Sequence, residues 1–170
     1  MAIDAFVKPL LKLEIFQGLR PLQITEIVRR SYRVVYKPGD VILAEDASAD
    51  AAVIIVSGDA VRISGPGLAE PAEPIPAGSM LSEMAMLIET ANTSTVIARG
   101  QVRALRISRE EILAQMSEDP ALADHFVRRI TARLSNVLEE LRQIDGTLAG
   151  IAAPAHLTGR EAPAGLSALH

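Results

Sequence analysis

Between Ser31 and Ile107 the chain breaks into short β-branched runs, and turn signals part them at intervals of about eight to twelve residues. Such spacing points to a small barrel or a jelly-roll sandwich. Tyr32, Val34, Val35 and Tyr36 open it and end at Lys37-Pro38-Gly39-Asp40, a strong turn sequence. Val41–Leu43, Ala52–Val56, Ala60–Ile63, Thr93–Ala98 and Val102–Ile107 read as further strands, with Ser57-Gly58-Asp59 as a turn and 45–50 as a loop. Residues 64–79, rich in Pro and Gly, read as a long surface loop, and Met80–Ile88 as a short helix.

Helical periodicity stands on both sides of that block, which gives an α+β fold class. Phe6, Leu10, Leu11, Leu13 and Phe16 fit a first helix. Pro21 suits a first helical position and opens a second helix to Arg30, with Leu22, Ile24 and Ile27 facing inward. Beyond the β block, Ser108 with Glu111 three residues on has the capping-box pattern. Pro120, preceded by Ser117-Glu118-Asp119, opens a long helix. In it Ala123, Val127, Ile130, Leu134, Val137, Leu141 and Ile144 alternate steps of four and three, a seam of three heptads. Leu122 and Phe126 face inward and the seam outward, so the seam is expected to pair with a second copy of the chain. Leu at a-type positions with Ile at d-type positions leans away from two strands in an isolated coiled coil, so the number of copies stays open. Gly146 reads as the end of the helix. The expected division is a domain over 1–145 and a mobile, aperiodic Ala/Gly/Pro tail over 146–170.

Composition removes several function classes. The 170 residues contain no cysteine, which excludes disulfides, thiolate metal sites and cysteine nucleophiles. Seventeen basic against twenty-one acidic residues give a net charge of −4, unlike a broad nucleic-acid or acidic-membrane binder. Arg128, Arg129, Arg133 and Arg142 read as a solvated helix face. No run of about eighteen apolar residues forms a membrane span, and the start at Met1 has no export signal, so a cytoplasmic location is expected. His125, His156 and His170 all lie outside the β block, which speaks against a metal-dependent barrel of the cupin kind. No nucleophile elbow, P-loop or dinucleotide fingerprint occurs, and no carboxylate pair has a partner base, so an enzyme is not expected.

Four phrases in order resemble the cyclic nucleotide-binding domain family. They are Lys37-Pro38-Gly39-Asp40-Val41-Ile42, Ile54-Ile55-Val56-Ser57-Gly58-Asp59-Ala60-Val61, Gly78-Ser79-Met80-Leu81-Ser82-Glu83-Met84-Ala85-Met86-Leu87, and Thr95-Val96-Ile97-Ala98. The resemblance spans about residues 5–145, and the sequence is also similar to the sensor half of catabolite-activator-type regulators. It implies a β barrel or jelly roll with flanking helices and a long pairing helix. It also implies a phosphate-binding cassette, in which Ser82, Glu83, Met84 and Ala85 open a short helix whose first N–H groups face a cyclic phosphate. Glu83 corresponds to the family carboxylate that accepts from the ribose hydroxyl. The family's phosphate-pairing Arg lies nine residues after that Glu, and here Asn92 stands there, followed by Thr93 and Ser94. Ser82 stands in place of the usual Gly and Leu81 in place of an aromatic residue. A charge-assisted bond contributes about 1.5–3 kcal/mol where a neutral one contributes about 1, so cyclic nucleotide affinity should fall tenfold or more.

Each of these residues also has a purely structural use: Ser82 and Glu83 as caps, and Asn92, Thr93 and Ser94 as a turn held by side-chain bonds to backbone. The expectation is a non-catalytic ligand-sensing module, with cyclic AMP or cyclic GMP binding weakened, altered or lost. It would pair through Val127, Ile130, Leu134, Val137, Leu141 and Ile144 and act on a protein partner, with no direct DNA contact and no bound cofactor. The alternative is an interaction module that kept the fold and lost the ligand.

Overall fold

A computed structural model describes residues 4–63 and 72–152. The chain divides into two compact units, Met1–Arg129 and Ile130–His170. The first begins with α1 (Asp4–Lys12), a 3-10 turn (Glu14–Phe16) and α2 (Pro21–Arg30). Ten strands follow: β1 (Tyr32–Tyr36), β2 (Val41–Leu43), β3 (Ser48–Ala49), β4 (Ala51–Ser57), β5 (Ala60–Ile63), β6 (Glu73–Ile75), β7 (Met80–Leu81), β8 (Thr90–Ala91), β9 (Thr95–Ala98) and β10 (Val102–Ser108). α3 (Arg109–Glu118) and α4 (Pro120–Ala152) close the described chain.

Two four-stranded antiparallel sheets, β1-β10-β4-β7 and β2-β9-β5-β6, face each other, and β3-β8 forms a small third ladder. Ile42, Val53, Ile55, Ala60, Ile75, Leu81, Val96, Ala98, Val102 and Ala104 pack into one buried cluster fed by both sheets. Because side chains alternate along a strand, Ile54, Leu105 and Ile107 fall on the opposite face of the first sheet. They are buried too, and α1 meets β4 while α2 and α3 meet β10. β4 and β10 are thus covered on both faces, which is why β4 reads as a continuous apolar run and not an alternating one.

The helix ends are held by side chains the sequence placed there. Ser108 Oγ accepts from the Glu111 N–H at 3.3 Å, the expected cap of α3. Asp119 Oδ1 accepts from Ala121 and Leu122 N–H at 3.0 and 3.3 Å and caps α4. Its Oδ2 accepts from buried Gln23 Nε2 at 2.7 Å, and Gln23 Oε1 accepts from Arg20 N–H at 3.0 Å. One glutamine therefore joins the starts of α2 and α4. His125 Nε2 meets the Ile15 carbonyl at 2.8 Å, and Phe126 packs edge-on against Phe16.

Several expectations are corrected. Leu22 is 80% exposed, and Ile24, Ile27 and Val28 form the inward stripe. Leu22 lies roughly 200° around the helix from Ile24 and cannot share it. Met80–Ile88 is not one helix: Met80 and Leu81 pair with Ile54 and Val53, and a 3-10 turn (Glu83–Met86) follows. The expected loop over 45–50 contains β3, which pairs Ser48 with Ala91 and Ala49 with Thr90. The loop expected over 64–79 contains β6, and its residues 64–71 lie outside the described part. Pro74 is tolerated there because, among the described residues, β6 is an edge strand paired only with β5. Gly146 lies inside α4, which runs on to Ala152. A terminating glycine adopts positive φ, and Gly146 does not. Within a helix it costs only about 1 kcal/mol relative to Ala. Of the expected tail, residues 153–170 lie outside the described part.

Gly58 turns β4 into β5 with φ +93°, and a Cβ there would collide with the Gln101 carbonyl oxygen. Gly39, at φ +89°, has open space around that position. Gly39→Ala should cost about 1–2 kcal/mol for the left-handed backbone alone. Gly58→Ala should cost clearly more, because the backbone must also shift. Urea denaturation of the two variants checks this order.

Candidate ligand-binding site

Ser82 links β7 to the 3-10 turn at φ 49°, ψ 44°, a left-handed conformation. It shares that trait, among described non-glycine residues, only with Asp46 at φ 62°. Such a conformation costs a Cβ-bearing residue about 1–2 kcal/mol, so something must hold it. Both are held by Asn92. Ser82 Oγ donates to Asn92 Oδ1 at 2.7 Å, and the Asp46 N–H donates to the Asn92 carbonyl at 2.9 Å. Asn92 Nδ2 donates to the Ala44 carbonyl at 3.1 Å, and its backbone N–H to the Ala47 carbonyl at 3.0 Å. Glu45 N–H adds a bond to Thr95 Oγ1 at 3.1 Å. Asn92 is buried, and both ends of its side-chain amide are spent on the protein itself.

Ser82, Glu83, Met84, Ala85 and Asn92 are thus brought together, with Ser82 and Asn92 in direct contact. Thr93 is exposed and Ser94 buried. Ser82 does not cap the turn through its side chain; its hydroxyl goes to Asn92. The cassette is a single four-residue 3-10 turn, and the Ala85 N–H already donates to the Ser82 carbonyl at 2.9 Å. The expected helix of outward N–H groups is correspondingly reduced. Ala85 and Met86 are fully buried and anchor the turn.

The sequence reading missed three residues beside Asn92. A recess of about 140 Å³ is lined by Tyr36, Ile42, Asp50, Asn92 and Arg106, among others. Arg106 falls on the face of β10 that carries Val102 and Ala104, so it points to the barrel side. Its Nη2 donates to Asp50 Oδ1 at 2.7 Å. That bond holds the Asp50 carboxyl below the usual carboxylate range. Burial pushes the Tyr36 phenol up, partly opposed by the Arg106 charge, so it keeps its proton at neutral pH. The Asp50 carbonyl accepts the Arg109 N–H at 2.8 Å, and Arg109 Nη1 reaches the Ile88 carbonyl at 3.0 Å. Among the described residues no group of three His, Asp or Glu side chains gathers as metal ligands would.

The cyclic nucleotide-binding domain family model matches residues 33–119, which includes the barrel, the cassette and α3. The chain belongs to this family. Solved structures agree. A cyclic nucleotide-binding-like protein from Brucella abortus is 25% identical, with a TM-score of 0.61 over 66% of this chain and 97% of its own. The N-terminal domain of a transcriptional regulator from Streptomyces coelicolor is 18% identical, with a TM-score of 0.71 over 78% and 93%. The sensor domain of the transcriptional regulator DNR from Pseudomonas aeruginosa is 20% identical, with a TM-score of 0.62 over 82% and 95%. No curated protein sequence matches the chain. The cyclic nucleotide-binding fold therefore frames the site.

On α4, Val127, Leu134, Val137, Leu141 and Ile144 are exposed, Ile130 is half-buried, and Leu148 extends the four-three stepping one position further. No described helix is long and apolar enough to cross a membrane.

The Ser82–Asn92 pair makes an unequal prediction for its two partners. Ser82→Gly leaves Asn92 Oδ1 without its donor, at about 1–3 kcal/mol, and relieves a left-handed Cβ worth about 1–2 kcal/mol, so the two largely offset and stability should stay within about 1–2 kcal/mol of the parent. Asn92→Ala leaves the Ser82 hydroxyl and the Ala44 carbonyl without partners and should cost about 2–3 kcal/mol. Chemical denaturation of both variants measures the difference.

Proposed function

We propose that this chain is a non-catalytic regulatory module on the cyclic nucleotide-binding fold. It pairs with a second copy through α4 and acts through a protein partner, with its cassette closed to cyclic nucleotides. One observation carries the reading. At the position where the family resemblance expects a phosphate-pairing Arg, Asn92 is uncharged, buried and bonded to Ser82 and Ala44. A cyclic phosphate meeting this cassette finds no cation at residue 92, and the amide there is already bonded to Ser82 and Ala44. Glu83 keeps the family carboxylate at its position in the cassette. The adjoining recess, about 140 Å³, is also well below the roughly 300 Å³ at which pockets for organic ligands begin.

Pairing through Val127, Ile130, Leu134, Val137, Leu141 and Ile144 is supported by their continuous heptad stepping and by the exposure of a stripe of large apolar side chains. The net charge of −4 fits a protein partner better than nucleic acid. The alternative, a pure interaction module without any ligand, is favoured by the small recess and separated by ligand titration.

Thermal unfolding with cyclic AMP and cyclic GMP tests the closed cassette. A bound ligand at a hundred times its Kd would add about 2.7 kcal/mol, and no shift is expected from either. The double variant Ser82→Gly/Asn92→Arg restores the family pattern and should gain a cyclic nucleotide shift. A strong shift in the parent chain would refute the reading. Leu134→Glu should convert the pair to a monomer in sedimentation without unfolding the barrel, and an unchanged mass would remove α4 as the pairing surface.

A further inference from the structure

Resting on that reading, we propose that the recess beside Asn92 is a site for a compact oxyanion, a phosphoryl or carboxylate group on a molecule smaller than a nucleotide, and that Arg106 is its anchor. Residue 92 supplies no charge, yet the barrel face is not without a cation: Arg106 lines the same recess from β10. Its guanidinium carries five N–H donors in a planar fork suited to two oxygens of one anion.

Asp50 occupies that place now, through Oδ1 at 2.7 Å from Arg106 Nη2. The Arg106 side chain is 32% exposed and the Asp50 side chain 67% exposed. An ion pair with so exposed a carboxylate is weakly held, and Asp50 can turn to water without leaving a buried charge. An incoming oxyanion would take over the guanidinium while Asp50 becomes solvated. Tyr36 lines the same recess and keeps its phenolic proton. Its hydroxyl is a neutral donor type in the same lining. At about 140 Å³ the recess selects against a whole nucleotide and accepts a small acid.

The test is titration of the whole chain with inorganic phosphate, acetate and cyclic AMP, each at constant ionic strength with chloride as control. Thermal shift and the side-chain NMR signals of Asn92 and Arg106 are read together. Phosphate or acetate should stabilise the protein and move both signals, and the stronger of the two names the chemistry. Arg106→Gln should weaken that binding at least about tenfold. Asp50→Asn, which keeps the anchor and removes its competitor, should tighten it several-fold. No effect of phosphate or acetate beyond chloride, an unchanged affinity in Arg106→Gln, or no tightening in Asp50→Asn overturns the proposal. A flat response to all three compounds overturns this proposal alone. A cyclic AMP shift without a phosphate or acetate shift overturns both it and the closed cassette.

Discussion

One buried asparagine holds two strained backbones, one through its side chain and one through its main chain. Ser82 and Asp46 both sit in left-handed conformations without being glycine, and Asn92 bonds to each of them while also binding the Ala44 and Ala47 main chain. The segment after β2, the β3-β8 ladder and the entry to the cassette meet at this residue, through its main chain and its side chain together. Each bond is worth only about 1 kcal/mol net, but the groups joined here could not stay unpaired in a packed interior at less than about 1–3 kcal/mol each. The local shape is therefore set by polar satisfaction and not by apolar burial, whereas the rest of the barrel relies on burial.

Seen this way, the two departures from the family cassette are one feature. A serine where a glycine is usual would strain the turn, and an asparagine where an arginine is usual would lose a charge. Together they form a 2.7 Å hydrogen bond that closes the turn on itself. The family fold fixes where a pocket can be, and individual side chains decide what it accepts.

Much of this was legible in the sequence, for physical reasons. Strands of four or more residues bounded by Gly or Pro carry enough pattern to be placed, as at β1, β4, β5 and β10. Caps at Ser108 and Asp119 announced α3 and α4. The two- and three-residue ladders β3, β6, β7 and β8 are too short for any period, and they exist because a neighbouring strand pairs with them. Leu22 was misassigned because apolar character alone does not fix a position on a helical wheel. Ser82, Glu83 and Asn92 were found through the family pattern and not through periodicity. Arg106 was missed because Val102-Arg103-Ala104-Leu105-Arg106-Ile107 has apolar residues on both faces. Which arginine points to the barrel depends on which face of β10 meets the second sheet and which meets the helices, and that is tertiary information.

Residue 50 belongs to two structures at once. Its carboxylate reaches across to Arg106, and its carbonyl receives the first N–H of α3 at 2.8 Å. A single peptide unit thus serves as the hinge pin between the barrel wall and the helix that follows it. The exposed Asp50 side chain reaches β10 and its main chain reaches α3, so one residue of the β3–β4 corner touches both.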